Sequence, residues 1–213
     1  MSSALAPHGI DATAISPHDD RGPRGAGHDV TARHVRADLG DDGRANGHDV
    51  SWSLVETPLG TVAIGLSDRG LARITFDADA VEPTPGLSPR RAALAVVVER
   101  ALDAYLRGRR RDIDVPIDLA PARGIDAAVR TALVRIPYGT TASYGAIAAA
   151  IGRPRAARAV GTACARNPLP LVIPCHRVIR ADGAPGHYAG GDERKTWLLR
   201  LEASTGALGP GLR

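Results

Sequence analysis

Thr140-Thr-Ala-Ser-Tyr-Gly-Ala-Ile-Ala-Ala-Ala-Ile-Gly-Arg-Pro-Arg-Ala-Ala-Arg-Ala-Val-Gly-Thr-Ala-Cys-Ala165 decides how this chain is read. Ser143 stands directly before an alanine-rich apolar run. Its hydroxyl can accept from a free N–H of the first turn, so it predicts a short helix Tyr144–Ala150. Gly152 breaks that helix. Pro154 suits a first helical turn, because its missing N–H has no partner there anyway, and it predicts a second helix Arg155–Ala165. Two short helices joined by a tight glycine turn make a helix-turn-helix candidate. Arg155 and Arg158 lie three apart and so share a face of the second helix. An ordinary helical hairpin with a solvated arginine face has the same pattern, so the pair alone does not establish DNA contact.

Working outward, Leu169–Ile173 predicts a short buried strand or extended segment, with Pro170 limiting its pairing. Pro174-Cys175-His176-Arg177-Val178-Ile179 follows, then a loop holding glycines 183, 186, 190 and 191. Asp192 can cap a last helix running through Trp197, Leu198 and Leu201 to about Ala203. Residues 204–213 read as a flexible tail. On the other side, Ile125–Val134 is helical in pattern, and residues 120–124 read as a linker. Earlier still, Ser51–Glu56, Thr61–Leu66 and Leu71–Phe76 alternate with turn residues and predict a short antiparallel meander. Leu94, Val97, Val98, Ala101, Leu102 and Tyr105 stripe a helix Arg90–Leu106. Asp112–Leu119 predicts one more strand, placed at an edge by Pro116. Residues 51–119 thus form an N-terminal α/β unit whose expected role is support, and residues 125–203 a second, mostly helical domain.

Residues 1–50 hold five arginines, eight aspartates and five histidines but few large apolar side chains. Such a stretch cannot offset the entropy of ordering, and it reads as a disordered tail. The formal charge of +4 is therefore uneven, and the rest of the chain is more basic than the total suggests. A basic globular part is compatible with nucleic acid, acidic lipid or acidic protein. Two cysteines cannot make a disulfide framework, and a reducing cytosol is the simpler setting. The apolar runs fall short of the roughly 20 residues that span a bilayer, so no membrane partner is expected. The first residues hold no basic segment followed by an apolar one, so no secretory signal is expected.

Cys175 is the residue with the most distinct chemistry. A thiol attacks as thiolate and needs a base to become one at neutral pH. His176 is adjacent, and Arg177 adds positive charge. Side chains of neighbours in extended backbone point apart, so a bridging water would have to join His176 to the thiol. An acid orienting the far imidazole nitrogen would complete the arrangement, and Glu202 and Asp192 both qualify. A buried, inert cysteine beside a core histidine fits the same residues. Cys164 and Cys175, eleven apart with one adjacent histidine, match no common zinc spacing, so no metal is expected.

Five blocks stand in order: Ile136-Pro-Tyr-Gly-Thr-Thr-Ala-Ser-Tyr-Gly145, Arg158-Ala-Val-Gly161, Asn167-Pro168, Ile173-Pro-Cys-His-Arg-Val178 and Tyr188-Ala-Gly-Gly191. Together they resemble the O6-alkylguanine-DNA alkyltransferase (methylated-DNA–protein-cysteine methyltransferase) family. The resemblance covers residues 125–203; residues 51–119 are compatible with the family's variable N-terminal domain. It implies an α+β chain of two domains: a small ribonuclease-H-like antiparallel sheet with a helix, then a winged helix-turn-helix-like domain. It implies irreversible, single-turnover transfer of an alkyl group from O6-alkylguanine, and from O4-alkylthymine, to Cys175. It implies no cofactor. His176 would act as base through water, held by Glu202 rather than Asp192, and Tyr144 would help turn the phosphate and polarise the departing base. Arg158 would fill the stack vacated by the flipped nucleotide, and Ala156, Ala157 and Gly161 would let the helix approach the minor groove. Asn167 would order the active-site turn, Tyr188 would wall the pocket, and backbone at Cys175, Val178 and Ala189 would read the guanine edge. The partner implied is double-stranded DNA, bound by monomers that can cluster along it, in the cytoplasm and on the nucleoid. Ile125, Arg130 and His187 depart from the family pattern. A non-catalytic lesion sensor or transcription regulator on the same fold is the alternative, and a cysteine hydrolase a more distant one.

Overall fold

The structure, a computed structural model, describes residues 44–45 and 48–206. Arg44–Ala45 (β1) and His48–Asp49 (β2) pair as a two-residue antiparallel ladder within the stretch read as a tail. The rest of that stretch, and residues 207–213, lie outside the described residues.

The expected meander is present. Ser51–Thr57 (β3), Gly60–Leu66 (β4) and Leu71–Thr75 (β5) form one antiparallel sheet in chain order. Gly60 closes the first turn at φ +91°, a conformation that a side chain resists. Central β4 contributes Val62, Ala63, Ile64 and Leu66, all fully buried. The helix Pro89–Leu106 (α1) packs on β3 and β4. Ser88 caps it by accepting from Arg91 N–H at 3.3 Å, and Val98, Leu102, Tyr105 and Leu106 face inward.

The predicted strand Asp112–Leu119 is not formed. The segment touches β5 through one parallel bridge, Leu71 to Ile117. Leu71 N–H donates to Pro116 O at 2.8 Å, and Asp118 N–H donates to Leu71 O at 2.9 Å. Pro116 lacks the N–H that would extend the ladder. Gly70 lets the segment come this close, since a Cβ there would sit 2.7 Å from Pro116 O.

The C-terminal half is mostly helical: Gly124–Leu133 (α2), Tyr144–Ala150 (α3), Ala157–Ala165 (α4) and Gly191–Gly206 (α5). Ser143 caps α3 as expected, accepting from Ala146 N–H at 3.0 Å. Helix α4 starts at Ala157, not Arg155. Pro154 and Arg155 sit in a separate turn, closed by Ala156 N–H on Arg153 O at 2.8 Å, and Ala156 is the N-cap. Leu169–Ile173 is a tight turn rather than a strand. Ile173 N–H reaches back to Leu169 O at 2.8 Å, and Leu171 takes φ +77°. Pro168 and Pro170 remove the donors a ladder would need. Asp192 lies inside the first turn of α5 rather than before it, and α5 continues past Ala203 to Gly206.

Two further elements frame the centre of the molecule. Cys175–Arg177 form a single 3₁₀ turn, where extended backbone was expected. Ala142–Ser143 (β6) then pairs in parallel with Val178–Ile179 (β7). This short ladder ties the start of α3 to the segment that follows Cys175. The two halves share one apolar core, which includes Val62 and Leu102 from the first and Val129, Val160 and Leu198 from the second. Ile74 N–H donates to Pro168 O at 2.9 Å across the same boundary.

Candidate active site

Cys175 opens the 3₁₀ turn and is only 3% exposed. Its N–H donates to Ile173 O at 2.7 Å. Asn167, just beyond α4, holds this turn. Its Nδ2 donates to Ile173 O at 2.7 Å and to Cys175 Sγ at 3.1 Å, while its Oδ1 accepts from Leu169 N–H at 3.1 Å. Burial pushes the Cys175 thiol up, and the Asn167 hydrogen bond and the nearby charge of Lys195 oppose that shift. The resting group is a protonated thiol that needs a base.

His176 is fully buried. Its Nε2 lies 2.7 Å from Glu202 Oε1. Glu202 is itself 1% exposed. Burial alone would raise its carboxyl, but hydrogen bonds and charge from His176 and Arg177 bring it down to about 2. An ionised carboxylate only accepts, so Nε2 carries the proton and Nδ1 keeps its lone pair. Nδ1 is buried without a protein hydrogen-bond partner. Burial lowers the His176 pKa against the pull of Glu202, which favours the neutral ring. A neutral imidazole with its far nitrogen fixed and its near nitrogen available is equipped to take a proton.

Arg177 does not face the thiol. Its Nε meets Glu202 Oε2 at 2.9 Å, its Nη2 meets Oε1 at 3.0 Å, and its Nη1 meets Ile136 O at 2.8 Å. Gly139 N–H donates to Oε2 at 2.9 Å. The cation that acts on Cys175 is Lys195, the only lysine of the chain. It is fully buried. Its Nζ donates to Val178 O at 2.6 Å and lies 5.8 Å from the Tyr144 ring centroid. Lys195 stands seven residues before Glu202, so one face of α5 carries both; that spacing is the signal that could have singled it out. Asp192, at the exposed start of α5, takes no part in holding His176. Tyr105 was expected to be a packing residue of α1, yet its hydroxyl donates to Glu202 Oε1.

The remaining site residues divide into two groups. Tyr144 is half-buried at the start of α3, with its hydroxyl 3.4 Å from His187 O. Burial, then nearby Cys164 and Cys175, push its phenol to about 12. The buried Tyr188 ring lies 6.3 Å from the His176 ring and 5.6 Å from Phe76. Val178 is fully buried and Ala189 partly so. A Cβ on neighbouring Gly190 would stand 2.8 Å from Phe76, so only glycine fits there. Of these, Tyr144 and Tyr188 lie close enough to Cys175 to feel its charge, and Asn167 hydrogen-bonds its sulfur. The second group, Arg158, Ala156, Ala157 and Gly161, lies along α4 toward solvent. Arg158 is exposed, Ala156, Ala157 and Gly161 are partly so, and Arg158 joins no ion pair among the described residues. A Cβ on Gly161 would make ordinary contact with the Tyr144 ring at 3.8 Å, so internal packing does not demand a glycine there.

Residues 125–204 match the 6-O-methylguanine DNA methyltransferase, DNA binding domain, and residues 50–119 match the ribonuclease-like domain of the same proteins. A methylated-DNA–protein-cysteine methyltransferase from Mycolicibacterium paratuberculosis is 40% identical over 154 residues, covering 72% of this chain and 92% of the relative. The chain belongs to the methylated-DNA–protein-cysteine methyltransferase family. The family member from Methanosarcina barkeri is also 40% identical, over 71% of this chain and 96% of its own. The crystal structure of Mycobacterium tuberculosis OGT in complex with DNA superposes with a TM-score of 0.63 at 38% identity, covering 73% of this chain and 94% of that one. Among the described residues no cluster of three His, Cys, Asp or Glu is placed to hold a metal. No helix among them is long and apolar enough to cross a membrane.

Proposed function

We propose that this protein repairs DNA by moving the alkyl group of O6-alkylguanine irreversibly onto Cys175. The observation that carries the reading is the buried base–acid pair His176–Glu202 directly following a buried thiol in the chain. Cys175 adjoins a neutral His176, whose Nε2 is fixed at 2.7 Å by ionised Glu202.

In this reading the thiol proton passes through water to His176 Nδ1, giving an imidazolium stabilised by Glu202. The thiolate attacks the alkyl carbon, a C–S bond forms, and the C–O6 bond breaks with its electrons going to the guanine. Tyr144, whose raised pKa keeps its phenol protonated, polarises the departing base and offsets its developing charge. The product thioether is a poor electrophile that neither water nor a thiol cleaves, so each molecule acts once. O4-alkylthymine carries the same kind of alkyl–oxygen bond and is the second substrate of this reading.

The reacting atom lies inside the duplex, so its nucleotide must leave the stack. Exposed Arg158 is suited to fill the gap, and Ala156, Ala157 and Gly161 leave room for the minor-groove wall beside it. Tyr188, Ala189 and the backbone at Cys175 and Val178 are placed to receive the flipped base, with Asn167 ordering the turn beneath it. The protein acts as a monomer in the cytoplasm, without a cofactor.

The test is to incubate the protein with a duplex bearing O6-methylguanine and measure intact mass. A stoichiometric gain of one methyl, about 14 Da, mapped to Cys175 is expected. Unmodified protein that binds the lesion tightly would make it a sensor instead, and turnover without an adduct would make it a hydrolase.

A further inference from the structure

We propose that Tyr105, carried by the N-terminal half on α1, is a positioning residue of the alkyl-transfer site: its hydroxyl holds Glu202 Oε1 and sets how strongly Glu202 draws the proton of His176. The inference rests on the reading of His176 as the base.

Tyr105 is 1% exposed. Its oxygen lies 3.2 Å from His176 Nε2 and donates to Glu202 Oε1, the same oxygen that accepts from Nε2. The phenol must be the donor, because an ionised carboxylate has no proton to give. Burial, then the negative charge of Glu202, push the phenol's own pKa far up, so it remains a donor throughout the working range. The ring is held edge-on against Tyr138, with centroids 5.9 Å apart. The Tyr138 hydroxyl is in turn within 2.6 Å of Thr205 Oγ1 on α5. The phenol is therefore aimed by packing from both halves of the molecule.

Glu202 Oε1 also accepts from Arg177 Nε at 3.1 Å and Nη2 at 3.0 Å, and every further donor on that oxygen competes with Nε2–H. Each hydrogen bond that Oε1 accepts from Tyr105 weakens its pull on Nε2–H, and so makes Nδ1 a weaker base. Six titratable or charged groups face His176: Glu202 and Lys195 from α5, Cys175 and Arg177 from its own turn, Tyr105 from α1, and Tyr188 from the loop before α5. Tyr105 is the member of this set contributed by the N-terminal half. That half, expected to be only a support, then takes part in setting the base.

The test uses the full chain as Tyr105→Phe, and separately with 3-fluorotyrosine at position 105, whose more acidic phenol is a stronger donor. Two quantities are followed across pH: the single-turnover rate of methyl transfer from an O6-methylguanine duplex, and the ¹⁵N shifts of the His176 ring without DNA. With phenylalanine, the His176 titration and the acid limb of the rate profile should rise together by about half a unit. Fluorotyrosine should move both in the opposite direction. A rate or melting loss in Tyr105→Phe with an unmoved His176 titration would leave only a structural role and overturn the proposal. So would shifts of the same sign in both variants. If the unaltered protein transfers no methyl, the function fails and the proposal with it; if it does and the ring titration stays put, the proposal fails alone.

Discussion

Asn167 Nδ2 stands 3.1 Å from Cys175 Sγ and 2.7 Å from the carbonyl of Ile173, so one amide both braces the active-site turn and touches the thiol. Its position beyond the last turn of α4 links the arginine-bearing helix to the cysteine in a single residue step.

Asn167→Ala removes these bonds and leaves the Ile173 carbonyl without this donor. Each lost bond is worth about 1–3 kcal/mol. Methyl transfer in single-turnover assays should slow by about 10- to 100-fold, and the melting temperature should fall. The ultraviolet thiolate titration of Cys175 should move upward, because the Asn167 hydrogen bond now lowers it. An unchanged thiol titration would confine Asn167 to bracing the turn.

Arg158→Ala should act on DNA and not on the fold, since the side chain is exposed on α4. Extrusion of a base costs a few kcal/mol, and an inserted side chain offsets part of that cost. Transfer from duplex should slow by about 10- to 100-fold, while transfer from a single-stranded oligonucleotide and the melting temperature stay near their original values. Equal loss on both substrates would remove Arg158 from the flipping step.

Stability should peak in a window of pH set by the buried site. His176 is lowered from its ordinary 6.5, so the unfolded chain takes up that proton first and stability falls as pH drops below about 6.5. Glu202, held at about 2 against an ordinary 4.5, adds a second acid loss as pH falls from about 4.5 to about 2. Cys175 is raised from 9.0, so its contribution is present below that value and lost as pH rises above it. Denaturant midpoints measured across pH should show this plateau, and Glu202→Gln should remove the acid step assigned to the carboxylate.

Much of this was legible in the sequence because it is local. Ser143 caps α3 through a neighbour three residues away, and the meander is marked by its turn residues. Glu202 could be preferred to Asp192 only through the family resemblance, and the buried ion pair with Arg177 gives the physical reason. What escaped depends on tertiary contact. Tyr105 meets partners 71 and 97 residues away, and within α1 it is indistinguishable from a packing aromatic. Lys195 reads as a surface lysine until the fold closes over it. Leu169–Ile173 has the composition of a buried strand, but its two flanking and internal prolines win, and the chain turns. Arg177 was given to the thiol by adjacency, yet the 3₁₀ turn swings it to Glu202.

The ladder of Ala142–Ser143 against Val178–Ile179 has one more consequence. It locks the tyrosine-bearing start of α3 to the residues that follow the cysteine, and Lys195 bolts that same segment to α5. Two ties brace the receptacle, so in the proposed reading it is the nucleotide that moves. A braced receptacle sorts bases by how readily they abandon their neighbours. A damaged, poorly paired guanine comes out at lower cost than a sound one, and discrimination begins in the double helix before any alkyl group meets sulfur.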